Sequence, residues 1–186
     1  MENKNMIWNN SMTYGAILGG ILVATSLIGF IFKIQNGTFL QIINYAVLGG
    51  IMFYGTKVLR DKYQNGYIKY GRALASSFLI ALFAGIIVAF FTMLYFKWLD
   101  PNMLEQMKLE VQQTLMDKGL DQTQIELSMR MMTPSFYAFA ALFSFSFWGF
   151  LLSLIVALFV RKEGNPLDTI TNETEKTNIE EPKNEL

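Results

Sequence analysis

The side chains in this chain that are able to do chemistry are few, and the missing types narrow the choice at once. The sequence contains no His and no Cys. That removes Ser-His and Cys-His nucleophile pairs, zinc and copper sites built on those ligands, haem ligation by His, and any disulfide framework. Carboxylates, Lys, Tyr, Ser and Met remain. An acid–base enzyme needs titratable groups that converge, and the obvious carboxylates are Asp61 and Asp100. Both have structural explanations: Asp61 stands among basic residues, and Asp100 precedes Pro101 as a helix N-cap residue would. The expectation is a protein that is not an enzyme, with no catalytic residue, no cofactor and no metal site.

Two other groupings carry chemical potential. The stretch 57–72 holds Lys57, Arg60, Lys62, Lys69 and Arg72 against one acid, Asp61, and interleaves them with Tyr63, Tyr67 and Tyr70. This composition suits anionic lipid headgroups, a phosphate group or nucleic acid, the first by far the best. Arg60, Lys62, Lys69 and Arg72 are the residues that would make the contact. A basic loop tied to a membrane at both ends also needs no ligand to explain its charge. The second grouping is thioether: six of the eleven Met lie between Met103 and Met132. Thioethers bind Cu(I), but with no Cys or His to complete a site, adaptable packing explains them better.

What must position these groups follows from the composition. Of 186 residues, 52% are hydrophobic and only 16% charged, and mean hydropathy is +0.30, whereas an average soluble domain is about a quarter charged. Crossing the ~30 Å hydrocarbon core takes ~20 residues. Four windows free of Asp, Glu, Lys and Arg are long enough: 5–32, 34–56, 73–96 and 131–160. They predict spans of about 12–32, 38–56, 73–96 and 135–160. The third window holds twelve Leu, Ile, Val or Phe between Leu74 and Leu94, contributing about −4 to −7 kcal/mol to insertion. The second is the weakest, with eight such residues over 38–56 and also Gln41, Asn44, Gly49 and Gly50. The first is too long for a signal-peptide core, which runs about 7–15 residues, and reads as an uncleaved anchor.

An even number of spans puts both termini on one side, and the excess of Lys and Arg chooses it. The basic loop 57–72 and the pair Arg161 and Lys162 mark the cytoplasmic side. The loop 97–132, with four basic and six acidic residues, lies outside. Trp8, Tyr14, Tyr54, Tyr95, Trp98 and Tyr137 fall near predicted span ends, where amphipathic rings favour the headgroup level. Trp148 falls mid-span and reads as packing against a helix or lipid.

Small residues let membrane helices approach closely. In the third span Ala73, Ser77, Ala81, Gly85 and Ala89 recur every four residues and share one face. The first span offers Gly15 and Gly19, the second Ala46 and Gly50, and the fourth Gly149, Ser153 and Ala157. Packing within one four-helix bundle is the simplest use of these faces; homo-oligomerisation through the third span is the other. No ionisable residue falls within a predicted span, which counts against a proton-coupled transporter or pump. Gln41 and Asn44 are the polar exceptions and serve equally well as interhelical hydrogen-bonding groups.

The loop 97–132 reads as a helical hairpin. Asp100 and Pro101 open an amphipathic helix through Leu104, Met107, Val111 and Leu115 to about Lys118, and Gly119 suits its stop. Asp121 with Gln124 resembles a capping box for a second short helix leading to Thr133 and Pro134. The hairpin would rest on the outer face or cap the bundle. Residues 164–186 form an acidic tail with few large apolar residues, expected to be disordered and cytoplasmic.

The string Gly-Tyr-Ile-Lys-Tyr-Gly-Arg-Ala-Leu from Gly66 to Leu74, and Lys97-Trp98-Leu99-Asp100-Pro101 at the close of the third span, resemble a known family. The chain resembles the bacterial membrane proteins grouped as domain of unknown function 4199, over about Met6 to Lys162, with Tyr70 where Phe is more usual. That resemblance implies a multi-span membrane fold and carries over no functional residue. Genes of such proteins often lie near those of polyprenyl-phosphate sugar transferases, which motivates one alternative below.

The expectation is therefore an all-α integral membrane protein of the bacterial cytoplasmic membrane: four transmembrane helices with an extracytoplasmic helical hairpin between spans three and four. Its expected role is a non-enzymatic subunit or stabilising partner of a membrane complex. The alternative is a protein handling polyprenyl or anionic lipid phosphates, or an accessory to a membrane sugar transferase; a small-solute transporter ranks behind both. Expected partners are the lipid bilayer and a membrane protein or a second copy, and no nucleic acid.

Overall fold

The structure is a computed structural model and describes residues 2–32 and 38–162, with side chains over 5–32 and 42–162. The turn around Lys33 to Gly37, the tail 164–186 and the side chain of Gln41 lie outside the described residues. Six α-helices occur among the described residues: α1 Glu2–Ile31, α2 Thr38–Val58, α3 Tyr70–Leu94, α4 Pro101–Asp117, α5 Gln122–Met131 and α6 Pro134–Val160. Helices α2 and α3 each run on into a π-helical turn, Leu59–Tyr63 and Tyr95–Leu99. Four of the helices, α1, α2, α3 and α6, are long and apolar enough to cross a membrane, α2 being the least apolar.

The spans match the sequence expectation in number and order, and their ends differ where polar groups find partners. Helix α1 starts at Glu2 rather than near residue 12. Its polar turn is not a flank: Asn10 Nδ2 donates to the Gly55 carbonyl at 3.0 Å, and Ser11 Oγ to the Ser76 carbonyl at 3.2 Å. Both residues are buried, so the helix continues through them with its side-chain groups satisfied. The third span begins at Tyr70 and the fourth at Pro134. Thr133 caps the fourth, its Oγ1 accepting from Phe136 N at 3.2 Å.

Helix α3 is the centre of the bundle, with its most extensive contacts to α6 and α1 and lighter ones to α2. Ser11 meets Ser76 and Phe30 meets Tyr95, a constant offset that makes α1 and α3 parallel. Gly85 lies by Phe145, Gly149 by Ala81 and Phe78 by Phe150, which makes α3 and α6 antiparallel. Because α3 turns Ala73, Ser76, Ser77, Ala81, Ala84, Gly85 and Ala89 inward, its neighbours come in to van der Waals contact. The approach is closest at the glycines. A Cβ on Gly15 would lie 2.5 Å from Phe83 Cβ, one on Gly19 2.9 Å from Ile87 Cβ, and one on Gly149 2.6 Å from Ala81 Cβ. Ser153 is buried on α6 and donates to the Phe150 carbonyl at 2.7 Å.

Helix α2 departs from the expected pattern. Its inward face runs through Leu48, Met52, Gly55, Thr56 and Leu59, all buried, and Gly55 is its close approach, with Ile80 Cδ1 and Tyr14 Cγ each 2.8 Å from a built Cβ. Ala46 and Gly50 are exposed, and nothing lies within 4 Å of a Cβ on Gly50. The expected small pair is therefore one face away from the seam, because the alignment of Leu48, Met52 and Thr56 on α1 and α3 sets the rotation of α2.

At the far end of the bundle the hairpin is rooted by its caps. Asp100 Oδ1 accepts from Met103 N at 3.0 Å, with Pro101 in the first helical position. Gly119, at φ +73°, ends α4 with Leu120 N donating to the Leu115 carbonyl at 3.2 Å. Asp121 caps α5 through Thr123 N at 3.4 Å, and Gln124 is exposed. Leu104 packs with Tyr95 and Phe96, beside Phe30, Phe91, Met107 and Tyr137, so the root of α4 covers the ends of α1, α3 and α6.

Candidate functional site

The opposite end of the bundle collects the start of α1, the end of α2, the loop to α3 and the end of α6. The loop has a defined path. After the π-turn, Tyr67 N donates to the Gln64 carbonyl at 3.0 Å, and Asn65 and Gly66 between them have φ +51° and +81°. Two successive positive φ values make a type I′ turn, for which Asn-Gly is the favoured pair. The chain then extends, and Ile68 exchanges two main-chain hydrogen bonds with Lys162, N to O 2.9 Å and O to N 3.1 Å. The Ile68 side chain is buried beneath this clasp. Lys69, extended at ψ 148°, opens α3.

This path divides the four basic residues that the sequence grouped together. Arg60 is a structural residue: its Nε donates to Asp61 Oδ1 at 2.7 Å and its Nη1 to the Val160 carbonyl at 3.1 Å, where it caps the last turn of α6. Asp61 is thereby an ion-pair partner. Lys62 lies apart, beside a depression of about 250 Å³ formed with Asn9, Thr13, Tyr14 and Tyr63. Only Lys69 and Arg72 meet. They line an open cavity of about 590 Å³ together with Gln64, Tyr67, Tyr70 and Lys162.

Lys162 is the site residue that the sequence reading missed. It follows the last span and is far from Lys69 along the chain, and the antiparallel packing of α6 on α3, finished by the Ile68 clasp, brings it in. The Asn65–Gly66 pair was the available signal, since a chain reversal there directs the following residues back across the bundle. Lys162 Nζ stands 5.3 Å from the centre of the Tyr67 ring, within cation–π range. Arg72 Nη1 is 3.5 Å from Gln64 Oε1, and Gln64 Nε2 is buried with no hydrogen-bond partner among the described residues. Three basic side chains thus line a space with no carboxylate in its lining. Such a set is rich in donors and poor in acceptors, which is the chemistry of an oxyanion site.

The remaining candidates disperse. Asn44 is half-buried on α2, and its Oδ1 has no hydrogen-bond partner among the described residues. Met103 packs at the hairpin root, with its sulfur 3.8 Å from the Tyr95 hydroxyl, whereas Met116 and Met131 are exposed. Trp148 is exposed on α6, edge-on to Phe147 at 5.9 Å.

Spanning helices joined along small-residue seams define a multi-pass helical membrane protein. Its family follows from comparison: residues 13–162 match the model described as protein of unknown function (DUF4199), and the chain belongs to that family. The match ends at the residue that clasps Ile68. No curated protein and no solved structure matches the chain.

Proposed function

We propose that the protein resides in a bacterial cytoplasmic membrane with both termini cytoplasmic, and that it acts by binding rather than catalysis. The ligand is the phosphate of an anionic lipid headgroup, polyprenyl phosphates included. The observation that carries this reading is the cavity shared by Lys69, Arg72 and Lys162. It lies where α3 begins and α6 ends, the level at which headgroups sit beside the spans, and each Lys or Arg near an anionic leaflet contributes about 1 kcal/mol. Orientation is supported by the stretch 57–72 with residues 161–162, which together carry seven bases and one acid.

The test uses the full chain in mild detergent, with undecaprenyl phosphate and phosphatidylglycerol as probes and native mass spectrometry as the readout. Lys69→Gln, Arg72→Gln and Lys162→Gln together should weaken binding about a hundredfold, at roughly 1 kcal/mol per charge. Lys62→Gln should leave binding unchanged. Equal binding by the triple variant would end this reading. For orientation, a Cys placed at Gln112 should react with an impermeant thiol reagent in spheroplasts and one at Thr174 should not.

A second reading, a subunit of a membrane complex, rests on α2. Ile42, Tyr45 and Phe53 are exposed around the open Ala46 and Gly50, where a partner helix could come close. A stoichiometric partner that co-purifies with the native chain and is lost on Gly50→Leu would favour it.

A further inference from the structure

We propose that Arg60 and Asp61 are positioning residues for the cavity: together they hold the end of α6 so that Lys162 stands beside Lys69 and Arg72. This inference rests on the cavity being an anion site, and it adds how the third cation is placed. Neither Arg60 nor Asp61 is among the residues that line the cavity, so their effect must pass through another residue. Lys69 and Arg72 sit at the N-cap and in the first turn of α3, the central helix, which places them directly. Lys162 has no such support. It lies two residues beyond Val160, the last residue of α6, and the intervening Arg161 leaves the helix at ψ 134°.

Two tethers fix the chain where the helix no longer does. The bond from Arg60 Nη1 to the Val160 carbonyl at 3.1 Å satisfies one of the carbonyls that a helix end leaves open, and it puts a cation at the negative end of the helix dipole. Two residues later Lys162 exchanges its main-chain bonds with Ile68. An isolated bridge of this kind is marginal without neighbours, so it depends on the tether that precedes it. Both tethers are anchored in the core, since Leu59, Ile68 and Val160 are buried beside them. The guanidinium is held in turn from its other edge, where Nε donates to Asp61 Oδ1 at 2.7 Å, a charge-assisted bond. Asp61 therefore separates positioning from simple charge. An acid among these bases opposes an anion by Coulomb's law, so on charge alone its removal should tighten binding. If Asp61 serves by orienting Arg60, its removal should weaken binding.

The experiment uses the full chain in mild detergent with short-chain phosphatidylglycerol as the probe, and compares Asp61→Asn and Arg60→Gln, each alone and combined with Lys162→Gln. Asp61→Asn should weaken binding about twofold, within the range of an exposed ion pair. Arg60→Gln should weaken it about fivefold, the share of one charge. Neither change should weaken binding further once Lys162→Gln is present, whereas Arg60→Gln and Lys69→Gln should add. Unchanged or tighter binding by Asp61→Asn, or additive losses for Arg60→Gln and Lys162→Gln, with the cavity variant Lys69→Gln/Arg72→Gln/Lys162→Gln weakened, overturns the positioning inference and leaves the lipid reading standing. If the cavity variant binds as the native chain does, the lipid reading fails, and amide hydrogen exchange decides the placement of Lys162 alone. Both single variants should speed exchange at the Ile68 and Lys162 amides and leave the spans protected, which shows that the bundle is intact. Unchanged exchange at these two amides overturns the proposal.

Discussion

Replacing Gly15 with Ala tests how α1 is held against α3. The new Cβ would lie 2.5 Å from Phe83 Cβ and 2.9 Å from the Ile80 carbonyl oxygen. Relief to ordinary contact requires a movement of about 1 Å, and interiors packed at crystal density have no such slack. The carbonyl belongs to helix backbone and cannot rotate aside, so the two helices must separate along the face that also holds Ser11 against Ser76. Overpacking of this kind costs about 1–3 kcal/mol, and lipid offers no hydrophobic gain to offset it. Gly50→Ala is the control: nothing lies within 4 Å of its Cβ, and Ala exceeds Gly in helix propensity by up to about 1 kcal/mol. The assay is equilibrium unfolding by SDS titration in mild detergent, followed by circular dichroism. Gly15→Ala should lose about 1–3 kcal/mol and Gly50→Ala should lose nothing. Identical curves for the two variants would refute the parallel α1–α3 seam.

Gly149→Ala should also destabilise, since its Cβ would lie 2.6 Å from Ala81 Cβ. Adding Ala81→Gly should restore most of the loss, and a double-mutant cycle in the same titration should show at least about 1 kcal/mol of coupling. Asn10→Ala removes the bond to the Gly55 carbonyl and should cost about 0.6–2 kcal/mol, measured likewise; no loss would mean that the buried amide is dispensable. Asp100→Ala leaves Met103 N without its cap and should weaken α4 by about 0.5–2 kcal/mol. The readout is faster trypsin cleavage at Lys108 and Lys118, with the SDS unfolding of the spans unchanged.

The four spans were legible because a bilayer demands about 20 consecutive apolar residues and charges fall between such windows. Rotation about each helix axis was not. A pair such as Ala46 and Gly50 has the spacing of a contact face, but spacing alone does not say which neighbour it meets, and on α2 the neighbours meet Gly55 instead. The early start of α1 was hidden for a related reason: the sequence does not show that Asn10 and Ser11 meet the Gly55 and Ser76 carbonyls. In the basic loop, residue types were visible and convergence was not. Arg60 and Lys69 look alike in sequence, yet one caps α6 and the other opens onto the cavity.

The clasp between Ile68 and Lys162 imposes an order on biosynthesis. During translation Lys69 and Arg72 emerge long before residue 162, and until the fourth span has threaded into the bilayer the Ile68 amide and carbonyl have only water to bond. The pocket closes last, as a product of complete insertion. A nascent chain stalled before α6 would display the same basic loop without the built cavity, so any partner that reads the cavity rather than the loop distinguishes finished molecules from unfinished ones.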